Sequence, residues 1–194
     1  MQKVILVTML VVVAIANIIS CNNDKAEQPV TTAVSNDSLI KRGSYLVTLG
    51  GCDDCHSPKK FGPNGPEVDM DLRLSGYPAN RPFPPYDSNM VKKGIMMFNG
   101  DLTSAAGPWG VSFAANITSD ETGLGNWNEA HFFKAMREGK FKGLDGSRSL
   151  LPPMPWQNFK QMTDDDLKAV FAFLKSTKPV KNIVPAARQL AEIK

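Results

Sequence analysis

The sequence contains few histidines and cysteines and no strong excess of either charge. Two histidines and three cysteines occur in 194 residues, so few metal or disulfide sites can be formed from them. The formal net charge is +3 and includes Lys3, which lies in a segment that we expect to be removed. The mature protein is therefore close to neutral, which gives no reason to expect nucleic acid as a partner. No internal repeat is visible, and the length allows one modest domain.

Two of the three cysteines lie in the run Cys-Asp-Asp-Cys-His at residues 52–56. This spacing places the thiols of Cys52 and Cys55 one helical turn apart, where both can add to the vinyl groups of one haem. The adjacent imidazole of His56 is then placed to bind the haem iron. The run therefore predicts one covalently attached c-type haem.

Three other uses of these residues are less consistent with the sequence. A thioredoxin-like redox pair would follow a buried strand, whereas Cys52 follows a segment that is typical of a helix ending in glycines. A zinc site would need both cysteines, His56 and His131, and the side chains of neighbouring Cys55 and His56 point apart. A disulfide between the two cysteines would leave His56 without a role.

The N-terminal residues resemble an export signal. Lys3 precedes an apolar stretch at 4–19, and Ile18-Ile19-Ser20-Cys21 resembles a bacterial lipobox, in which the cysteine is acylated and becomes the new N-terminus. We predict a lipoprotein signal peptide at 1–20, lipidation of Cys21 and a flexible tether at 21–37. A plain signal peptide or an uncleaved anchor remains the alternative. The expected product is an exported, membrane-anchored bacterial lipoprotein that faces the periplasm or the cell exterior.

Hydrophobic periodicity and end signals predict three helices, at 38–49, 128–138 and 164–176. The first is capped by Asp37 or Ser38 and ends at two glycines, and the second stops at Gly139. The third has Thr163 as its cap, three aspartates in its first turn and an apolar stripe at i, i+3, i+4 and i+7. We expect this stripe to pack on the first helix. The predicted domain is 38–178, followed by a C-terminal tail at 179–194.

The stretch at 57–122 is long and rich in proline and glycine, which is unusual inside a compact domain. Short strands are expected near 93–97 and 110–114, with Asn99-Gly100 as a turn. We interpret the stretch as an irregular layer that shields the haem, with a partner-docking surface as the alternative.

A haem iron bound by His56 needs a second ligand or an open site. His131 is expected in the polar first turn of a helix, where a solvated side chain is more common than a ligand. Met154 lies in Pro152-Pro153-Met154-Pro155, a stiff extended segment that presents a thioether with little loss of entropy. Met154 is the favoured sixth ligand, and Met162 and Met96 are the alternatives.

This order of helices and motifs resembles class I monohaem cytochromes c. More narrowly, the segments 116–127 (Asn-Ile-Thr through Gly-Asn-Trp) and 151–156 (Leu-Pro-Pro-Met-Pro-Trp) are similar to the haem domains of membrane-bound dehydrogenase cytochrome c subunits. The resemblance covers about 37–177 and implies that Cys52 and Cys55 hold the haem and that His56 and Met154 are its axial ligands. The chain differs from many such subunits in having one haem motif rather than several.

The resemblance implies a mostly α fold, a cytochrome c-like helical domain around one covalent haem with a long Pro/Gly-rich irregular insertion at 57–115. It also implies single-electron transfer, as a carrier or as a subunit in a respiratory or dehydrogenase chain, rather than an enzyme. The expected partners are a dehydrogenase, an oxidase or another cytochrome. The alternatives are a peroxidase-like enzyme or sensor with an open sixth iron site, and a structural lipoprotein without a cofactor.

Overall fold

The computed structural model describes residues 35–193. The predicted signal peptide, the lipidation site Cys21 and nearly all of the predicted tether therefore lie outside the described residues. Within the described part, no helix has both the length and the apolar character needed to cross a membrane.

Six α-helices and five short strands follow one another along the described chain. The helices are α1 (Asn36–Leu49), α2 (Cys52–His56), α3 (Ser88–Lys92), α4 (Glu129–Glu138), α5 (Trp156–Phe159) and α6 (Asp164–Ser176). The strands are β1 (Lys59–Gly62), β2 (Gly65–Val68), β3 (Met97–Phe98), β4 (Ser104–Gly107) and β5 (Gly110–Phe113). Short 3₁₀ turns occupy Phe141–Gly143 and Leu190–Glu192.

The three predicted helices are present, and their caps explain the small shifts in their ends. The hydroxyl of Ser35 accepts a hydrogen bond from the backbone N–H of Ser38, so α1 begins two residues earlier than predicted. The side chain of Asn128 caps α4, which therefore begins at Glu129. Helix α6 has the predicted bounds, and the hydroxyl of Thr163 accepts from the N–H of Asp166.

The main core lies between α1 and α6, with α4 beside them, as the apolar stripe of α6 predicted. Its buried members come from all three helices and from the segments between them: Val47, Leu74, Leu124, Phe132, Leu167, Val170, Phe173 and Leu174. The helices α1 and α6 approach closely because Gly43 has no side chain. A Cβ on Gly43 would lie 1.9 Å from the carbonyl oxygen of Ala169. The half-buried Cys52 packs against the edge of this core.

The Pro/Gly-rich stretch contains more regular structure than the sequence predicted. Strands β1 and β2 form an antiparallel hairpin, and β3, β4 and β5 form a three-stranded antiparallel sheet. The expected strand at 110–114 is confirmed as β5, but only Met97 of the expected strand at 93–97 is in a strand. The described fold is thus a set of helices accompanied by two small sheets, with a second apolar cluster of Tyr86, Val91, Ala106, Val111 and Ile193 beside the larger sheet.

Residues 179–193, which the sequence predicts as a tail, return to the larger sheet. The N–H of Val111 donates to the carbonyl of Arg188 at 2.8 Å, and the N–H of Arg188 donates to Val111 at 2.9 Å. Ile193 is buried in the second apolar cluster. We call residues 179–193 the C-terminal strap.

Candidate haem site

The Cys-Asp-Asp-Cys-His run forms α2, a single helical turn that follows α1 after a sharp change of direction. The change occurs at Gly51, which has a φ of 65° and which a residue with a side chain would adopt only with strain. Cys52 and Cys55 are both half-buried free thiols on this turn, with His56 at its end. The structure therefore brings together the three residues that the spacing predicted.

Burial controls the protonation of both thiols. Desolvation raises the pKa of Cys52 to about 11, and the neighbouring charge of Asp53 acts in the same direction. Desolvation also raises the pKa of Cys55. Both sulfurs are therefore uncharged at pH 7, and thioether bonds to a haem would leave uncharged sulfur in the same place.

The ring of His56 is oriented by one backbone group. Its Nδ1 lies 2.8 Å from the carbonyl oxygen of Ala115, and because a carbonyl can only accept, Nδ1 carries the proton and donates. Desolvation lowers the pKa of His56, so the ring is neutral at pH 7 and the lone pair is on Nε2. A histidine that binds a metal ion through Nε2 needs this tautomer and this kind of support.

Charged and hydroxyl side chains also hold α2 in place. The carboxylate of Asp53 accepts from Arg73 and from the hydroxyl of Ser57, the latter at 2.6 Å. The ammonium of Lys59 donates to the carbonyl oxygens of Asp53 at 3.0 Å, of Asp54, and of Asp101 at 3.0 Å. A cation at the last carbonyls of a helix is favourable because it lies at the negative end of the helix dipole. These supports were not predicted from the sequence, although the i, i+4 spacing of Asp53 and Ser57 indicates that their side chains can meet.

The predicted ligand Met154 lies in the turn that precedes α5. Its side chain is half-buried, and its N–H donates to the carbonyl of Leu151 at 3.2 Å. The hydroxyl of Ser112 on β5 donates to the carbonyl of Pro152 at 2.6 Å. The Met154 turn is therefore fastened to the larger sheet, and ligation by Met154 stays a prediction.

The alternative ligands lie in different surroundings. Met162 packs against the main core, and Met96 lies in the exposed segment before β3. The ring of His131 lies edge-on to that of Trp127, and it borders a cleft of about 510 Å³ between α4 and residues 143–145. None of Cys52, Cys55 and His56 lines this cleft. In residues 35–193 no three or more Cys, His, Asp or Glu side chains are grouped to bind a metal ion, so the zinc arrangement is not formed there.

These observations fit a covalent haem. Two uncharged thiols lie on one helical turn, the adjacent imidazole has its Nε2 lone pair available, and an apolar core begins at Cys52. The arrangement supplies the residues that covalent attachment of a c-type haem would use.

No protein-family model matches the chain. One of the subunits of nicotinate dehydrogenase from Pseudomonas putida (strain KT2440) is 44% identical over 150 residues, which are 77% of this chain and 9% of that protein. The gluconate 2-dehydrogenase cytochrome c subunit of Pantoea cypripedii is 32% identical over 148 residues, 75% of this chain and 25% of that protein. The alcohol dehydrogenase (quinone) cytochrome c subunit of Gluconobacter oxydans (strain 621H) is 31% identical over 148 residues, 75% of this chain and 23% of that protein.

The chain spans a quarter or less of the length of these curated relatives. Its predicted similarity to cytochrome c subunits of dehydrogenases is confirmed. This similarity supports the prediction of an electron-transfer protein rather than a catalytic enzyme.

Proposed function

We propose that the chain is a membrane-anchored c-type cytochrome that carries single electrons through one covalent haem bound by His56 and Met154. The observation that best supports this proposal is the hydrogen bond from His56 Nδ1 to the carbonyl of Ala115. His56 lies on the same helical turn as two free thiols. With the proton on Nδ1, the lone pair of Nε2 is available to bind iron.

The chain's own residues would hold the cofactor and tune it. A bound haem supplies reversible one-electron transfer between ferrous and ferric iron. Cys52 and Cys55 would attach it through thioether bonds, and His56 would donate from Nε2. The soft thioether of Met154 would favour the ferrous state, and the apolar core next to Cys52 would keep water from that side of the site. Both effects raise the reduction potential.

The names of the relatives suggest the partner. Because those names describe subunits of nicotinate, gluconate and alcohol dehydrogenases, we propose that this chain receives electrons from a dehydrogenase and passes them to an oxidase or another cytochrome. Export by the segment 1–20 and a lipid on Cys21 would place it on a bacterial membrane, facing the periplasm or the cell exterior.

Absorption spectra of the haem-loaded protein test the proposal. Oxidised wild type is expected to be low-spin and to show the weak far-red band that reports iron bound by methionine sulfur. The variant Met154→Ala loses this band, whereas Met162→Ala, which removes a thioether from the main core, keeps it. A band that is lost in Met162→Ala and kept in Met154→Ala would assign the ligand to Met162.

The same preparation distinguishes the other functions. A high-spin wild type whose reduced form binds carbon monoxide readily would contradict electron transfer and favour the peroxidase-like alternative. Haem that stays with the wild-type chain after denaturation, but not with a Cys52→Ser, Cys55→Ser double variant, would establish covalent attachment. Absence of haem in the wild type would leave the structural lipoprotein.

A further inference from the structure

The side chain of Asn182 in the C-terminal strap makes three hydrogen bonds to a single loop. Its Nδ2 donates to the carbonyls of Ser75 at 2.7 Å and Tyr77 at 2.9 Å, and its Oδ1 accepts from the N–H of Ala79 at 2.9 Å. Only an amide side chain offers two donors and an acceptor in this arrangement. The loop at 75–79 is therefore fastened to the strap by three hydrogen bonds from a single residue.

The same loop contacts both partners of the hydrogen bond that orients His56. The N–H of Gly76 donates to the carbonyl of His56 at 2.7 Å, and the N–H of Tyr77 donates to the carbonyl of Ala114 at 3.0 Å. Gly76 has a φ of 77°, and a Cβ there would lie 2.6 Å from the carbonyl oxygen of Ala115. The loop thus packs directly against the peptide group that accepts the hydrogen bond from His56 Nδ1.

The strap also holds the residue that follows Ala115. The N–H of Asn182 donates to the hydroxyl oxygen of Thr122 at 3.0 Å, which in turn accepts from Asn116 Nδ2 at 3.0 Å. Asn116 Nδ2 also donates to the carbonyl of Val180 at 2.8 Å. The peptide of Ala115 is therefore held through the loop on one side and through Asn116 on the other, and Asn182 takes part in both.

We propose that Asn182 is a positioning residue for the haem site, which fixes the Ala115 carbonyl where it accepts from His56. Its effect on iron rests on the proposed function, because it acts through the imidazole of His56, which would bind the iron. A well-placed acceptor on Nδ1–H increases the electron density at Nε2, and this favours ferric iron. Loss of Asn182 lets the carbonyl move, weakens this hydrogen bond and raises the reduction potential.

The test uses the full-length, haem-loaded protein and the variant Asn182→Ala. The His56 Nδ1 proton, followed by NMR, is expected to exchange with water about tenfold faster, in line with the loss of about one net hydrogen bond. The midpoint potential is expected to shift upward. The control is Ile193→Ala, which opens the buried end of the strap without touching the loop or Ala115. It is expected to leave both the exchange rate and the potential at their wild-type values.

Wild-type exchange and potential in Asn182→Ala would overturn the inference, and so would equal changes in Ile193→Ala, because those would mean general loosening. If Asn182→Ala does not fold, Thr122→Val removes the hydroxyl that links Asn182 to Asn116. It is expected to change both quantities in the same direction by smaller amounts, and no change would again overturn the inference. A wild type without histidine-bound iron would instead defeat the proposed function, since Nδ1 exchange reports the hydrogen bond independently of iron ligation.

Discussion

Arg73 holds the carboxylate of Asp53 with two hydrogen bonds, at 3.0 Å from Nε to Oδ1 and at 2.8 Å from Nη2 to Oδ2. Burial alone would raise the pKa of this carboxyl, but the hydrogen bonds from Arg73 and Ser57 outweigh it and hold the pKa below its usual value. A carboxyl with a lowered pKa in the folded state stabilises the fold above its unfolded pKa. That contribution is lost as the pH falls through the lower, folded value.

We expect Asp53→Asn to be less stable than wild type by about 2 kcal/mol at pH 7, because it leaves the partly buried guanidinium of Arg73 without its charged partner. Urea denaturation at several pH values measures the difference, which should begin to shrink below about pH 4, where the unfolded chain takes up a proton at Asp53 before the folded protein does. The control Asp71→Asn breaks an exposed pair with Lys178 and should cost no more than about 0.5 kcal/mol. A difference for Asp53→Asn that does not shrink between pH 7 and pH 3 would contradict this account.

Because α1 and α6 approach closely, we expect Gly43→Ala to lower the free energy of unfolding, although this change usually stabilises a helix. In an isolated helix this change is favourable by about 1 kcal/mol. Here the new methyl group would lie 1.9 Å from the carbonyl oxygen of Ala169, so we expect a loss of about 2 kcal/mol or more in the free energy of unfolding. Gly62→Ala has no heavy atom within 4 Å of its Cβ and should stay within about 0.5 kcal/mol of wild type. Stabilisation by Gly43→Ala would disprove the close packing of α1 against α6 at Gly43.

The elements that the sequence predicted well are those with several agreeing local signals. Helix α6 has a capping threonine, acidic residues in its first turn and an apolar stripe, and its predicted bounds are the observed ones. The pair Cys52 and Cys55 with His56 was found because its members lie on one helical turn. The local pattern shows Gly43 only as a weak point of a helix. A glycine is needed there because the helix backbone contacts Ala169, which is more than a hundred residues away in sequence.

The parts that were missed depend on backbone groups or on distant partners. The acceptor for His56 is the carbonyl of Ala115, and any residue type supplies a carbonyl. Asn182 lies in a segment predicted as a tail, with no periodicity to indicate that it packs. Strands β1 and β2 contain Gly62, Gly65 and Pro66 and are mostly exposed, so the alternation that predicts a strand is absent.

Two leucines with the same unusual backbone are expected to respond in opposite directions to glycine. Leu74 and Leu102 have φ angles of 62° and 64°, a region that costs a side-chain-bearing residue about 1–2 kcal/mol. Leu102 is 41% exposed, so Leu102→Gly should raise the free energy of unfolding by about 0.5–1 kcal/mol. Leu74 is fully buried, and Leu74→Gly should lower it by about 3 kcal/mol or more. Thermal or urea unfolding of both variants measures these changes in stability, and destabilisation of both would contradict the backbone strain at Leu102.

The bond from Ser112 to the Pro152 carbonyl predicts how firmly Met154 is held. The variant Ser112→Ala frees the turn that carries Met154 from β5, and one net hydrogen bond of about 1.4 kcal/mol corresponds to a factor of ten. Imidazole added from solution should therefore displace the methionine at a concentration about tenfold lower than in wild type, followed by loss of the far-red band. The exposed Ser149 is the matched control, and Ser149→Ala should behave as wild type. Equal imidazole sensitivity in wild type and Ser112→Ala would mean that the sheet does not restrain the methionine turn.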